Sequence, residues 1–128
     1  MRRAATTLAF ALLGALATPA FAADAMPPSV KMLDGVLTGT DGMTLYTFDK
    51  DSAGSGKSMC NDTCATNWPP LMVKEGETAT GDFSIITRDD GKKQWAHKGK
   101  PLYFWAKDGK PGDKTGDNFN NVWHAAKP

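Results

Sequence analysis

Apolar and polar residues alternate along most of this chain with a period near two, in short runs cut by glycine and aspartate. Residues 35–48, GVLTGTDGMTLYTF, hold two such runs about Gly39-Thr40-Asp41-Gly42, where Asp-Gly supplies the positive φ a tight hairpin requires. Residues 83–105, FSIITRDDGKKQWAHKGKPLYFW, hold three, with turns expected at Asp89-Asp90-Gly91 and Lys98-Gly99-Lys100. The pattern predicts a meander of antiparallel strands. After the first 22 residues, no apolar set recurs at i, i+3, i+4 and i+7 over three turns, so no long helix is expected. One short helical turn fits Cys60 to Asn67.

The strand segments are also duplicated. Leu45-Tyr46-Thr47-Phe48-Asp49-Lys50-Asp51 recurs 57 positions later as Leu102-Tyr103-Phe104-Trp105-Ala106-Lys107-Asp108. Each copy is followed by a glycine-rich polar loop and a tryptophan, Trp68 or Trp123. Residues two apart share a strand face. Tyr46 and Phe48 therefore point one way, as do Tyr103 and Trp105, while Leu45 and Leu102 point the other. Strands apolar on both faces belong in the middle of a structure. The expected fold is all-β with little helix: two related antiparallel units, about 36–73 and 83–126, packed as a small sandwich or barrel within a single domain over 31–128.

The N-terminus changes the picture of where this domain works. Arg2 and Arg3 precede an apolar run and the small-residue site Ala20-Phe21-Ala22, the pattern of a secretory signal peptide over residues 1–22. Its apolar core is shorter than the roughly 20 residues that span a bilayer. Residues 23–30 read as a flexible lead-in. Cleavage removes two of the 15 basic residues and none of the 14 acidic ones, which leaves 106 residues with a formal charge near −1. Lysines alternate with aspartates rather than clustering into a basic face, so no nucleic-acid partner is expected. The four tryptophans fall in the mature part, where their default role is core.

Tyr-x-aromatic-x-x-Asp once in each half, CNDTCATNWPPL over 60–71 and RDDGKKQWAHKGKPLY over 88–103 together resemble the bacterial secreted repeat proteins with a Tyr-x4-Asp motif, a group often described as predicted lipoproteins. The resemblance covers about residues 33–126 and implies a fold rather than an activity. This sequence has no cysteine near the cleavage point to take a lipid, so a stable membrane anchor is not expected. The expectation is a periplasmic monomer that meets a small ligand or another protein without catalysis.

Candidate chemistry is sparse. Cys60 and Cys64 are the only cysteines, and export to an oxidising compartment favours a disulfide. An extended strand would hold their Cα atoms about 13 Å apart, whereas a helical turn brings them to about 6 Å, within disulfide reach. The alternative is copper, with Cys60, Cys64, Met59, His97 and His124 as soft-sulfur and imidazole donors; otherwise no cofactor is expected. Asp49-Lys50-Asp51-Ser52-Ala53-Gly54 begins like a calcium loop but carries Ala53 and Cys60 where oxygen ligands are needed. Asp108, Asp113 and Asp117 follow no calcium-loop spacing. Tyr46 with Asp51, and Tyr103 with Asp108, read as loop-to-strand hydrogen bonds within each repeat. No hydrolase motif is present, and a small hydrolase remains only an alternative. Trp68-Pro69-Pro70 and Asn120-Asn121-Val122-Trp123 read as closing each unit.

Overall fold

The computed structural model describes residues 25–128; the expected signal peptide lies outside the described residues. Seven short strands carry the architecture. β1 (Lys31–Leu33) and β2 (Val36–Thr38) pair about Asp34-Gly35. Both turn residues are left-handed, with φ of 54° and 82°, as a two-residue hairpin requires. β3 (Tyr46–Phe48) pairs antiparallel with β7 (Trp123–Ala125). β4 (Phe83–Thr87), β5 (Lys93–His97) and β6 (Lys100–Pro101) form a three-stranded meander. Its two turns lie where the sequence places them: Arg88 N–H bonds Lys92 O at 2.8 Å, and Lys98 and Gly99 take φ of 50° and 84°. Among the described residues the helices are α1 (Thr63–Asn67) and a 3-10 turn at Phe119–Asn121. No helix there is long and apolar enough to cross a membrane.

The fold is all-β with little helix, as expected, but among the described residues the sheets are three and small and do not close into a barrel. Isolated bridges join them, chief among them Tyr46 to Tyr103, where each residue's N–H bonds the other's carbonyl at 2.7 and 2.9 Å. The backbone hydrogen bonds on either side of that bridge correspond in the two repeats. The repeats are interlocked rather than stacked, because the last strand of each completes the hairpin of the other. In one ring of backbone hydrogen bonds Leu37 N–H donates to Ala126, Ala126 to Leu45, and Leu45 back to Leu37; in its counterpart Trp95 donates to Leu71, Leu71 to Leu102, and Leu102 to Trp95. All six bonds are 2.8–2.9 Å.

The alternation of faces holds. Tyr46, Phe48, Tyr103 and Trp105 enter one buried cluster with Trp68 and Trp123. Leu45 and Leu102 enter the other, with Leu37, Leu71, Phe83 and Trp95. Fully burying each leucine contributes about 1.5–3 kcal/mol. One close approach also demands glycine: a Cβ at Gly99 would stand 2.5 Å from the Gly54 nitrogen, where the first repeat's loop bonds Gly99 O at 2.9 Å.

Of residues 23–30, read from the sequence as a flexible lead-in, the structure describes 25–30. Ser29 and Val30 are buried, and the Glu77 carboxylate holds Ser29 through both its N–H and its hydroxyl, at 2.8–3.1 Å. Burial pushes the Glu77 carboxyl up, but donations from Lys74, Ser29 and Trp95 outweigh it and hold it below the usual range. A carboxyl depressed in the fold stabilises it above the ordinary carboxylate range, and that contribution is lost as pH falls through its folded value. Amide exchange at Ser29 and Val30 should therefore accelerate relative to Tyr46 and Tyr103 in acid. Glu77→Ala should produce the same loosening at neutral pH, and unchanged protection at Ser29 would contradict this role.

Candidate functional site

The duplicated motif builds the buried centre, and its pairing crosses between repeats. Tyr46 Oη donates to Asp108 Oδ2 at 2.7 Å, and Tyr103 Oη donates to Asp51 Oδ2 at 2.6 Å. The within-repeat pairs read from the sequence, Tyr46 with Asp51 and Tyr103 with Asp108, are therefore replaced by the opposite combination. The reason is geometric: the antiparallel Tyr46–Tyr103 bridge sends each ring past its neighbour toward the loop that follows the other strand. Each aspartate also caps its own loop, Asp51 accepting from Met59 N–H at 2.6 Å and Asp108 from Thr115 N–H at 3.0 Å. Both tyrosines are fully buried, and the aspartates are only 5% and 8% exposed. Burial, reinforced by the partner carboxylate, pushes both phenols well above their usual range, so they stay protonated donors.

The aromatic partners cross in the same way. Phe48 stacks on Trp123 at 4.2 Å, Trp123 on Trp68 at 3.8 Å, and Trp68 on Trp105 at 3.8 Å. Four rings form one column, with motif aromatics at both ends and the loop-closing tryptophans between them. Gly116 has no side chain because a Cβ there would come within 2.7 Å of the Trp68 ring. Trp68 and Trp123 thus close the two units against each other, and neither lines an open groove.

The halves differ where the first repeat carries its disulfide. Cys60 and Cys64 are bonded, with Cα atoms 5.1 Å apart, and closing so small a loop contributes about 2 kcal/mol in the chain-entropy view. Arg88, which the sequence reading passed over, is buried beside it. Its guanidinium donates to Cys60 O at 2.6 Å, Gln94 Oε1 at 2.7 Å and Ser58 Oγ at 3.1 Å. Ser58 Oγ lies 2.6 Å from Tyr103 Oη. A continuous network of Asp51, Tyr103, Ser58, Arg88 and Gln94 is the result. An arginine at the foot of a strand before Asp-Asp-Gly carries no sequence signal that distinguishes it from a surface charge.

The five donors read as a copper set are not assembled. The two cysteine sulfurs are joined and offer no thiolate, and Met59 is exposed. Among the described residues no group of three or more His, Cys, Asp or Glu converges. His124 is engaged on both nitrogens, by Asp49 at 2.8 Å and Asn118 at 3.2 Å. The loop aspartates are likewise committed, Asp113 to the Gly109 and Lys110 N–H groups and Asp117 to that of Ala125.

His97 is the exception. It is 7% exposed, and among the described residues its ring nitrogens have no hydrogen-bond partner. Burial, with the nearby Lys98 charge, holds its pKa below the usual value while Asp82 opposes them, so the imidazole is neutral at neutral pH. Phe83 fixes the ring from one side at 4.7 Å. The imidazole lines a cavity of about 370 Å³ with Met26, Met32, Leu37 and Phe83. It also lines an adjoining one of about 200 Å³ with Lys98, Lys100 and Lys127. Buried polar groups without partners are rare, so this one marks the candidate site. Its sequence signal was only that of a histidine at a strand end before Lys-Gly-Lys.

Residues 29–72 and 84–127 each match a family described as a secreted repeat of unknown function. No curated protein matches the chain, and no solved structure does.

Proposed function

The chain belongs to a family of secreted repeats of unknown function, and from that premise we propose that it is a non-enzymatic binding or accessory protein of the periplasm, delivered there by removal of residues 1–22 and acting as a monomer. One observation carries the reading. The groups with acid–base or nucleophilic capacity at the centre, Tyr46, Tyr103, Asp51, Asp108 and Ser58, are all buried and bonded to one another or to neighbouring backbone. General acid–base catalysis needs such groups within hydrogen-bond reach of a substrate, and here they are bonded to one another, to Arg88 and to nearby loop backbone. The unsatisfied polar group, His97, lines a cavity walled mostly by apolar side chains with Asp82 and Lys98 among them, a composition that suits reversible binding.

The test is turnover. Purified protein incubated with 4-nitrophenyl acetate, butyrate and phosphate should release nitrophenol no faster than buffer containing denatured protein. A rate that disappears in Ser58→Ala or His97→Ala would overturn the non-enzymatic reading and install a small hydrolase in its place.

A further inference from the structure

Two features of the His97 region go beyond a generic binding surface. First, its two cavities differ in character and share both His97 and Lys98. The larger is walled by two thioethers, a leucine and a phenylalanine, with Asp82 at its edge. The smaller is lined by Lys98, Lys100 and Lys127 together with Thr47. Second, Met26 and Met32 keep 40% and 44% of their surface exposed, although both border the larger cavity. Flexible methionines of this kind adapt to apolar ligands of varied shape, and the volume lies in the lower range of small-molecule sites.

We infer that this bipartite cleft binds a small amphipathic organic anion, such as a medium-chain carboxylate, with its apolar body on Met26, Met32, Leu37 and Phe83 and its carboxylate over the three lysines. The inference rests on the non-enzymatic reading and names the ligand class of the same site. His97 stands at the joint of the two lobes. Its ring N–H donates to the carboxylate and so acquires the partner that the empty fold does not give it. Asp82 sets the polarity of the site: it lines the apolar lobe, so an anionic head is directed away from it and toward Lys98, Lys100 and Lys127. A soft metal ion explains the thioethers and the imidazole but leaves the volume and the lysines without a role.

The experiment is calorimetric titration of the mature protein with decanoate, decanol and decylammonium, repeated with Cu(I), and followed by methionine-methyl NMR. Decanoate should bind at least about tenfold more tightly than decanol, a gap of about 1.4 kcal/mol, and decylammonium more weakly still. The Met26 and Met32 methyl signals should move and that of Met59 should not. Lys98→Gln combined with Lys100→Gln should erase the preference for decanoate over decanol while keeping decanol affinity, which shows that the apolar lobe survives. His97→Phe should weaken decanoate about tenfold. Equal affinity for decylammonium, movement at Met59 instead, or Cu(I) shifting the Met26 and Met32 methyls without decanoate binding would overturn the inference. Hydrolysis of 4-nitrophenyl decanoate would report failure of the non-enzymatic reading instead. Absence of both binding and hydrolysis overturns the ligand assignment alone.

Discussion

Replacing Tyr103 by alanine is expected to cost about 3–5 kcal/mol, the usual range for deleting a large buried ring, and at about 4–8 °C per kcal/mol for a domain near this size the loss in Tm exceeds ten degrees. Tyr46→Ala should behave alike, since the two residues are equivalent about the central bridge and both are fully buried. Deleting either phenol also strips its aspartate of a donor in a poorly hydrated place, which adds a desolvation cost to the cavity. Double-mutant cycles separate the crossed pairing from the alternative within each repeat. Tyr46→Phe combined with Asp108→Asn should show a coupling of about 0.5–3 kcal/mol, the range for residues in one network. Tyr46→Phe combined with Asp51→Asn should be additive within about 0.5 kcal/mol. Coupling in the second cycle and none in the first would refute the exchange of partners. Thermal or urea unfolding of these variants, with the single substitutions that each cycle combines, reads all of this.

Arg88→Met is expected to be nearly as damaging, at about 3–5 kcal/mol, the cost of breaking a buried polar or charged network from one side. The methionine fills similar space but strands Cys60 O and the Gln94 side-chain oxygen, which the guanidinium now satisfies. The loss should depend on pH with a definite sign. Burial holds the Asp51 carboxyl above its usual range, against hydrogen bonds from Tyr103 and Met59 and the positive charge of Arg88. Without that charge it rises further. A carboxyl raised in the folded state favours the fold at low pH, and the benefit is lost as pH rises through the folded value. The Arg88→Met deficit should therefore be largest at neutral pH and shrink as pH falls toward the ordinary carboxylate range. A deficit that grows in acid would show that Asp51 does not feel Arg88.

The elements of this fold were legible because they are written locally. Period-two alternation and Asp-Gly or Lys-Gly pairs place the hairpins at 39–42, 89–91 and 98–100, and Leu45 and Leu102 against Tyr46 and Tyr103 divide the faces correctly. Asp34-Gly35 carries the same signature and marks a further hairpin that the sequence reading left out. The pairing of Cys60 with Cys64 was legible from their being the only cysteines, from the expected oxidising compartment and from the reach of one helical turn. What escaped is non-local. Nothing in either copy of the motif says which aspartate a tyrosine will meet, because within-repeat and crossed pairs use identical letters; the antiparallel bridge decides. The docking of Ser29 depends on Glu77, a distant carboxylate in a polar loop. His97 was legible only as a residue type, since the absence of a partner is a property of the folded surroundings.

The crossed rings of Leu37, Ala126 and Leu45 and of Trp95, Leu71 and Leu102 make each repeat dependent on the other. One repeat alone has a hairpin whose third strand is missing and a final strand with nowhere to lie, so its complement exists only in a second copy of itself. Carrying both copies in one chain gives each repeat the strand it lacks. The two halves are nevertheless unequal: the first carries the disulfide, and the guanidinium that braces it, Arg88, comes from the second.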